Sequence, residues 1–114
     1  MTETFVKKWH ELSKVMTTRF DLEPNMINML FLIELQESGR GFQPVSRDEK
    51  LQLIHSAGCR MLSQFGYYDY NGCGENNIAL WRKDTKKPTL DEIKRTSLLK
   101  EAIVAYFIKN NVIN

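Results

Sequence analysis

The chain has 114 residues, of which 42% are hydrophobic, 26% charged and 11% aromatic, with only three prolines. That is the composition of a globular domain and not of a disordered segment, and the length suits one core that buries roughly two thirds of the unfolded surface. Sixteen basic against fourteen acidic residues leave a formal charge of +2, far short of the basic excess usual in nucleic-acid binders.

Phe5, Trp9, Leu12, Met16 and Phe20 recur at helical intervals with Lys7, Lys8, Glu11 and Lys14 opposite them, so residues 3–19 read as an amphipathic first helix. The opening MTETFVKKWHEL has neither the uninterrupted apolar run nor the small-residue cleavage site of a signal peptide. No later run approaches the roughly 18 apolar residues of a membrane span. Two cysteines, Cys59 and Cys73, are too few for a disulfide scaffold, so reduced thiols and a cytoplasmic location are expected.

Pro24 suits the first turn of a second helix, where its missing N–H would be unpaired anyway. In that stretch, NMINMLFLIELQESGRGF from Asn25 to Phe42, eight of the ten residues Met26–Leu35 are apolar. Helix two is therefore expected to run to Ser38 and to form the centre of the core. Glu34 projects between Ile27 and Leu30 on a helical wheel, so it is a candidate buried acid that needs an Arg, Lys, Tyr or backbone partner. Gly39 and Gly41 suit the helix end.

Ser46-Arg47-Asp48-Glu49 reads as a capping box opening helix three, which continues to Gln64 with Leu51, Ile54, Gly58, Met61, Leu62 and Phe65 on one face. Gly58 in that face would let a neighbouring helix approach closely. Tyr67–Tyr70 and Ile78–Arg82 are aromatic or apolar runs separated by the turn formers of 71–77, which predicts a β-hairpin with Tyr68 and Tyr70 on one face. A basic connector with Arg82, Lys83, Lys86 and Lys87 follows. Thr89-Leu90-Asp91-Glu92 reads as a second capping box, opening a helix whose Leu98–Ile108 half is apolar nearly all round.

FLIELQESGRGF, SRDEKLQLIH, FGYYDY and LLKEAIVAYF together resemble a family of small uncharacterised bacterial proteins with no assigned activity. The resemblance implies a bacterial, cytoplasmic, single-domain protein and transfers no site residue.

No catalytic constellation is expected. His55 and Cys59 have the spacing of two metal ligands, but no C-x-x-C or H-E-x-x-H pattern completes a set with His10 or Cys73, so neither a metal nor a cofactor is expected. Cys73 lies in a glycine-flanked turn with no base fixed beside it. Glu34 and Glu37 share only part of a face. The aromatic cluster Tyr67, Tyr68, Tyr70 and Trp81 is a candidate partner patch.

The expected fold is mainly α: one domain over 1–114, four helices packed around helix two, and a short β-hairpin between helices three and four. Two helices apolar nearly all round exceed what so small a domain encloses, which suggests a homodimer with Leu99, Ile103, Tyr106 and Phe107 as its face. The expected function is a small interaction or structural protein, with an enzyme ranked third among the readings. The alternative is a winged-helix-like nucleic-acid-binding regulator, which the weak basic charge of helix three makes the poorer reading.

Overall fold

A computed structural model describes residues 2–41 and 44–114. The order is α1 (Glu3–Phe20), α2 (Met26–Glu37), α3 (Arg47–Ser63), β1 (Tyr68–Cys73), a 3-10 turn (Glu75–Asn77), β2 (Ala79–Lys83) and α4 (Glu92–Lys109). The mainly helical fold with a hairpin between α3 and α4 is therefore as the patterning predicts. Phe42, at the end of the apolar stretch, lies outside the described residues.

Local chemistry sets the boundaries. The side chains of Thr2, Asn25, Ser46 and Asp91 accept the backbone N–H of Phe5, Asn28, Glu49 and Lys94, respectively, each satisfying a donor that the first helical turn leaves free. Two starts differ from expectation. Pro24 precedes the cap Asn25 and stays outside the helix, and α4 is capped by Asp91 instead of Thr89. Only half of the first capping box forms: Ser46 accepts from Glu49, while the Glu49 carboxylate turns to Arg40 at 3.0 Å. At the end of α2, Gly39 takes a left-handed conformation, and Arg40 N–H donates to the Leu35 carbonyl across it, a cap that glycine adopts without a Cβ penalty.

The main core joins Leu12 and Met16 of α1, Met29, Leu30, Leu32 and Ile33 of α2, Ala57, Met61 and Leu62 of α3, and Leu99, Ala102, Ile103, Val104 and Phe107 of α4. A smaller cluster of Leu35, Leu53 and Ile78 lies where α2, α3 and the hairpin meet. α2 packs mainly on α3, α3 also carries α4, and α1 packs on α4, so the helices follow one another in contact instead of surrounding α2. The first turn of α2 is at the surface, with Ile27 exposed.

That arrangement overturns the expected dimer face. Leu99, Ile103 and Phe107 are buried in the protomer's own core, and Tyr106 is half-buried. There is room for both apolar helices because neither is enclosed on every side: Ile27 of α2 and Ala105 and Ile108 of the apolar half of α4 are exposed. Two details of α3 also differ. Leu51 points outward while Leu53 and Ser56 point in, and a Cβ on Gly58 would meet only the Arg95 guanidinium at 3.8 Å, so no close helix crossing requires that glycine.

The hairpin is antiparallel, pairing Tyr68 with Lys83, Asp69 with Arg82 and Tyr70 with Trp81, then Cys73 with Ala79 beyond an irregularity. It lies on α3, the support that two strands need.

Candidate functional site

Where α2, α3 and the hairpin meet, the core turns polar. Glu34 is 0% exposed, an environment that disfavours a lone carboxylate. Ser56 and Arg60 are four residues apart on α3 and so share one face. Arg60 grips Glu34 in bidentate fashion, Nε to Oε1 at 2.8 Å and Nη2 to Oε2 at 3.1 Å, the geometry that suits a planar guanidinium.

The Ser56 Oγ lies 3.0 Å from Glu34 Oε2 and 3.1 Å from the Ala79 carbonyl, so its single proton serves one acceptor at a time. Trp81 Nε1–H donates to the same Oγ at 2.9 Å, and the Arg60 guanidinium lies over the Trp81 ring at 5.0 Å. On the outer side, Arg60 Nη1 is 3.6 Å from Glu37 Oε1, and the Tyr106 hydroxyl donates to Glu37 Oε2 at 2.9 Å. One connected network thus joins α2, α3, β2 and α4.

Its electrostatics follow from these contacts. Burial works to lower the Arg60 pKa, but the hydrogen bonds and charge of Glu34, with Glu37 behind them, hold it above the ordinary value. Burial, then the hydrogen bond to Glu37, pushes the Tyr106 phenol well up. Clefts of about 320 Å³, lined in part by Tyr70 and Cys73, and about 450 Å³, lined in part by Tyr106 and Lys109, flank the network. Glu34 has both oxygens engaged and Ser56 is buried, so this pair offers neither a free general base nor an accessible nucleophile. Its chemistry is that of a structural joint.

The sequence-selected residues separate into several places. Tyr67 and Tyr68 are half-buried against the main core, whereas Tyr70 is 58% exposed and meets Trp81 edge-on at 5.7 Å, so the four aromatics form no single patch. The Tyr70 hydroxyl lies 3.2 Å from Cys73 Sγ, and that contact pushes the Tyr70 pKa up. His55 Nε2 and Cys59 Sγ are 3.7 Å apart. No cluster of three or more His, Cys, Asp or Glu suited to a metal occurs among the described residues. Burial raises the Cys59 pKa, with the Arg95 charge partly offsetting it.

Arg82, Lys83, Lys86 and Lys87 are all exposed. Lys87 Nζ donates to the Phe65 carbonyl at 2.7 Å and lies over the Tyr67 ring at 4.8 Å, which fixes the connector beside the C-terminal end of α3. The cations Arg47 and Lys50 lie at the opposite end of that helix, and Arg60 is engaged with carboxylates. The exposed face of the first half of α3 carries Arg47, Asp48, Leu51, Gln52 and His55, which is not the cationic face that reads a major groove. Between this face and the hairpin runs a groove of about 570 Å³ whose lining includes Leu51, His55, Glu75, Ile78, Leu80 and Trp81.

Arg60, Ser56 and Tyr106 were not selected as Glu34's network from the sequence. The available signal was that Glu34 required a cation and Arg60 is the basic residue on the buried half of α3. No protein family, curated protein or solved structure matches the chain, so the resemblance carried by FLIELQESGRGF and its companion phrases gains no family from these comparisons. No helix among the described residues is long and apolar enough to cross a membrane.

Proposed function

We propose that the protein is a small interaction module that self-associates through the groove between α3 and the hairpin. The observation that carries this reading is the pair of aliphatic side chains lining that groove, Leu51 at 57% and Leu80 at 47% exposure. Apolar groups held apart by a fixed hairpin remain in water unless another surface covers them.

A second copy is the occupant that charge favours. A two-fold interface sets each patch against itself, so it requires a face without a strong charge of one sign. The groove carries Glu75 and His55 on its lining, whereas the basic connector would repel its own copy. The network of Glu34, Arg60, Ser56 and Trp81 supports the same reading by holding the hairpin against α3, keeping the groove shape fixed before association.

Sedimentation equilibrium tests this. Wild-type protein is expected to show a mass rising toward the dimer with concentration, and Leu51→Lys, at an exposed position that the fold tolerates, is expected to remain monomeric. A wild-type monomer throughout, or a dimer unaffected by Leu51→Lys and Leu80→Glu, would defeat the proposal.

A further inference from the structure

The acids and bases of this protein are unevenly satisfied. Lys83, Lys87 and Arg95 line one shallow depression of about 60 Å³ together with Tyr67, Tyr68, Asp84 and Thr89. The three cations come from three different parts of the chain: the end of β2, the connector and α4. Among the described residues none of them has a carboxylate within ion-pair distance. The nearby acids already serve the backbone, since Asp84 Oδ1 accepts the Lys86 N–H at 2.9 Å and Asp91 Oδ1 caps α4 at 2.7 Å.

Arg95 is the fourth residue of α4, in the first turn, where the helix dipole already presents positive charge and disfavours a cation. Asp91 and Glu92 answer that dipole, but neither forms an ion pair with Arg95. Lys87 is held in place by the Phe65 carbonyl and the Tyr67 ring, and its ammonium keeps further protons to donate. Three cations against the one carboxylate on the lining make a local positive field that a compact dianion neutralises.

We propose that the Lys83, Lys87 and Arg95 depression binds a phosphate dianion, either free orthophosphate or the phosphate of a small monoester. The volume suits the phosphate group alone, so the rest of an ester would lie outside, against the exposed parts of Tyr67 and Thr89. The site is independent of the self-association groove, which is lined by different residues.

The test is an amide NMR titration with inorganic phosphate against sodium chloride of matched ionic strength, repeated with phenyl phosphate. Phosphate is expected to give saturable shifts centred on Gly66, Tyr67, Lys87 and Thr89. Lys83→Gln and Arg95→Gln are each expected to weaken binding by about tenfold, the scale of one lost charge-assisted hydrogen bond. Both positions are exposed, so their thermal midpoints should not move, while Lys7→Gln with Lys14→Gln on α1 should leave binding intact. Tighter binding of phenyl phosphate would identify a monoester as the source, and equal binding would identify orthophosphate. Linear shifts spread over all basic residues, full binding in both Gln variants, or binding of duplex DNA alone with dependence on Arg82 and Lys86 would overturn the site.

Discussion

The polar joint and the basic depression contain similar side chains in opposite circumstances. At the joint, the cation Arg60 meets two carboxylates, is 20% exposed in its side chain, and stacks on Trp81. At the depression, Lys83, Lys87 and Arg95 have no carboxylate partner among the described residues. A satisfied buried charge mostly fixes geometry, because its field is already cancelled and its removal strands the partner. Exposed cations left uncancelled add little to folding but remain available to an external anion. The difference supports a structural role for the first region and is the basis of the phosphate recognition proposed for the second.

The largest test of that contrast is Arg60→Met. It strands Glu34 in the core, and the expected destabilisation is about 3–5 kcal/mol, the cost of breaking a buried ion pair from one side. Denaturant unfolding followed by circular dichroism measures it. Lys83→Gln, at the other region, should fall within about 0.5 kcal/mol of wild type.

A smaller effect is expected within the joint from Trp81→Phe. The substitution removes the indole donor to Ser56 and should cost about 1–2 kcal/mol, from a lost hydrogen bond and reduced packing. If urea unfolding shows no loss, the hairpin does not depend on this bond.

Tyr106→Phe should cost under about 1 kcal/mol, because its hydrogen bond to Glu37 is partly open to solvent. Its pH signature is more telling than its size. The folded-state pKa of Tyr106 lies above the ordinary 10.0, so the folded protein holds this proton more tightly than the unfolded chain. The stabilisation is complete below about pH 10 and is lost as pH rises from there through the folded-state value. Unfolding free energies measured across the alkaline range should fall more steeply for wild type than for Tyr106→Phe. Equal slopes would remove the phenol from the network.

The smallest intervention leaves the fold intact and compares thiols. Cys73 is exposed, whereas Cys59 is buried with its pKa raised by that burial. An aromatic disulfide reagent under native conditions should therefore modify Cys73 first and Cys59 only with unfolding. Equal native rates would show that the α3 face around Cys59 opens freely.

Much of the architecture was legible because it rests on local rules. The apolar intervals of Phe5 to Phe20, the cap at Ser46, and the turn formers between Tyr70 and Ile78 each act over a few residues, whereas the cap at Asn25 was missed because Pro24 suits a place inside the helix. Boundary errors arose where two capping residues competed, as Asp91 displaced Thr89. The site was less legible because its parts are distant in sequence. Glu34 could be recognised as a carboxylate in an apolar helix, but that Arg60 and Ser56 would meet it depends on how α2 crosses α3. Likewise Leu99, Ile103 and Phe107 looked surplus only under the assumption that both apolar helices must be enclosed on every side.

The most direct test of the structural joint is a double-mutant cycle on Glu34 and Arg60, measured by equilibrium unfolding of Glu34→Leu, Arg60→Met and the double variant. Arg60→Met strands Glu34 in the core and Glu34→Leu leaves Arg60 with Glu37 alone, whereas the double replaces both with apolar side chains. The predicted result is that the double variant is more stable than Arg60→Met alone, with a coupling energy of at least about 2 kcal/mol. Additive losses, with no coupling between the two positions, would contradict the claim that this pair holds α2 to α3 beneath the hairpin.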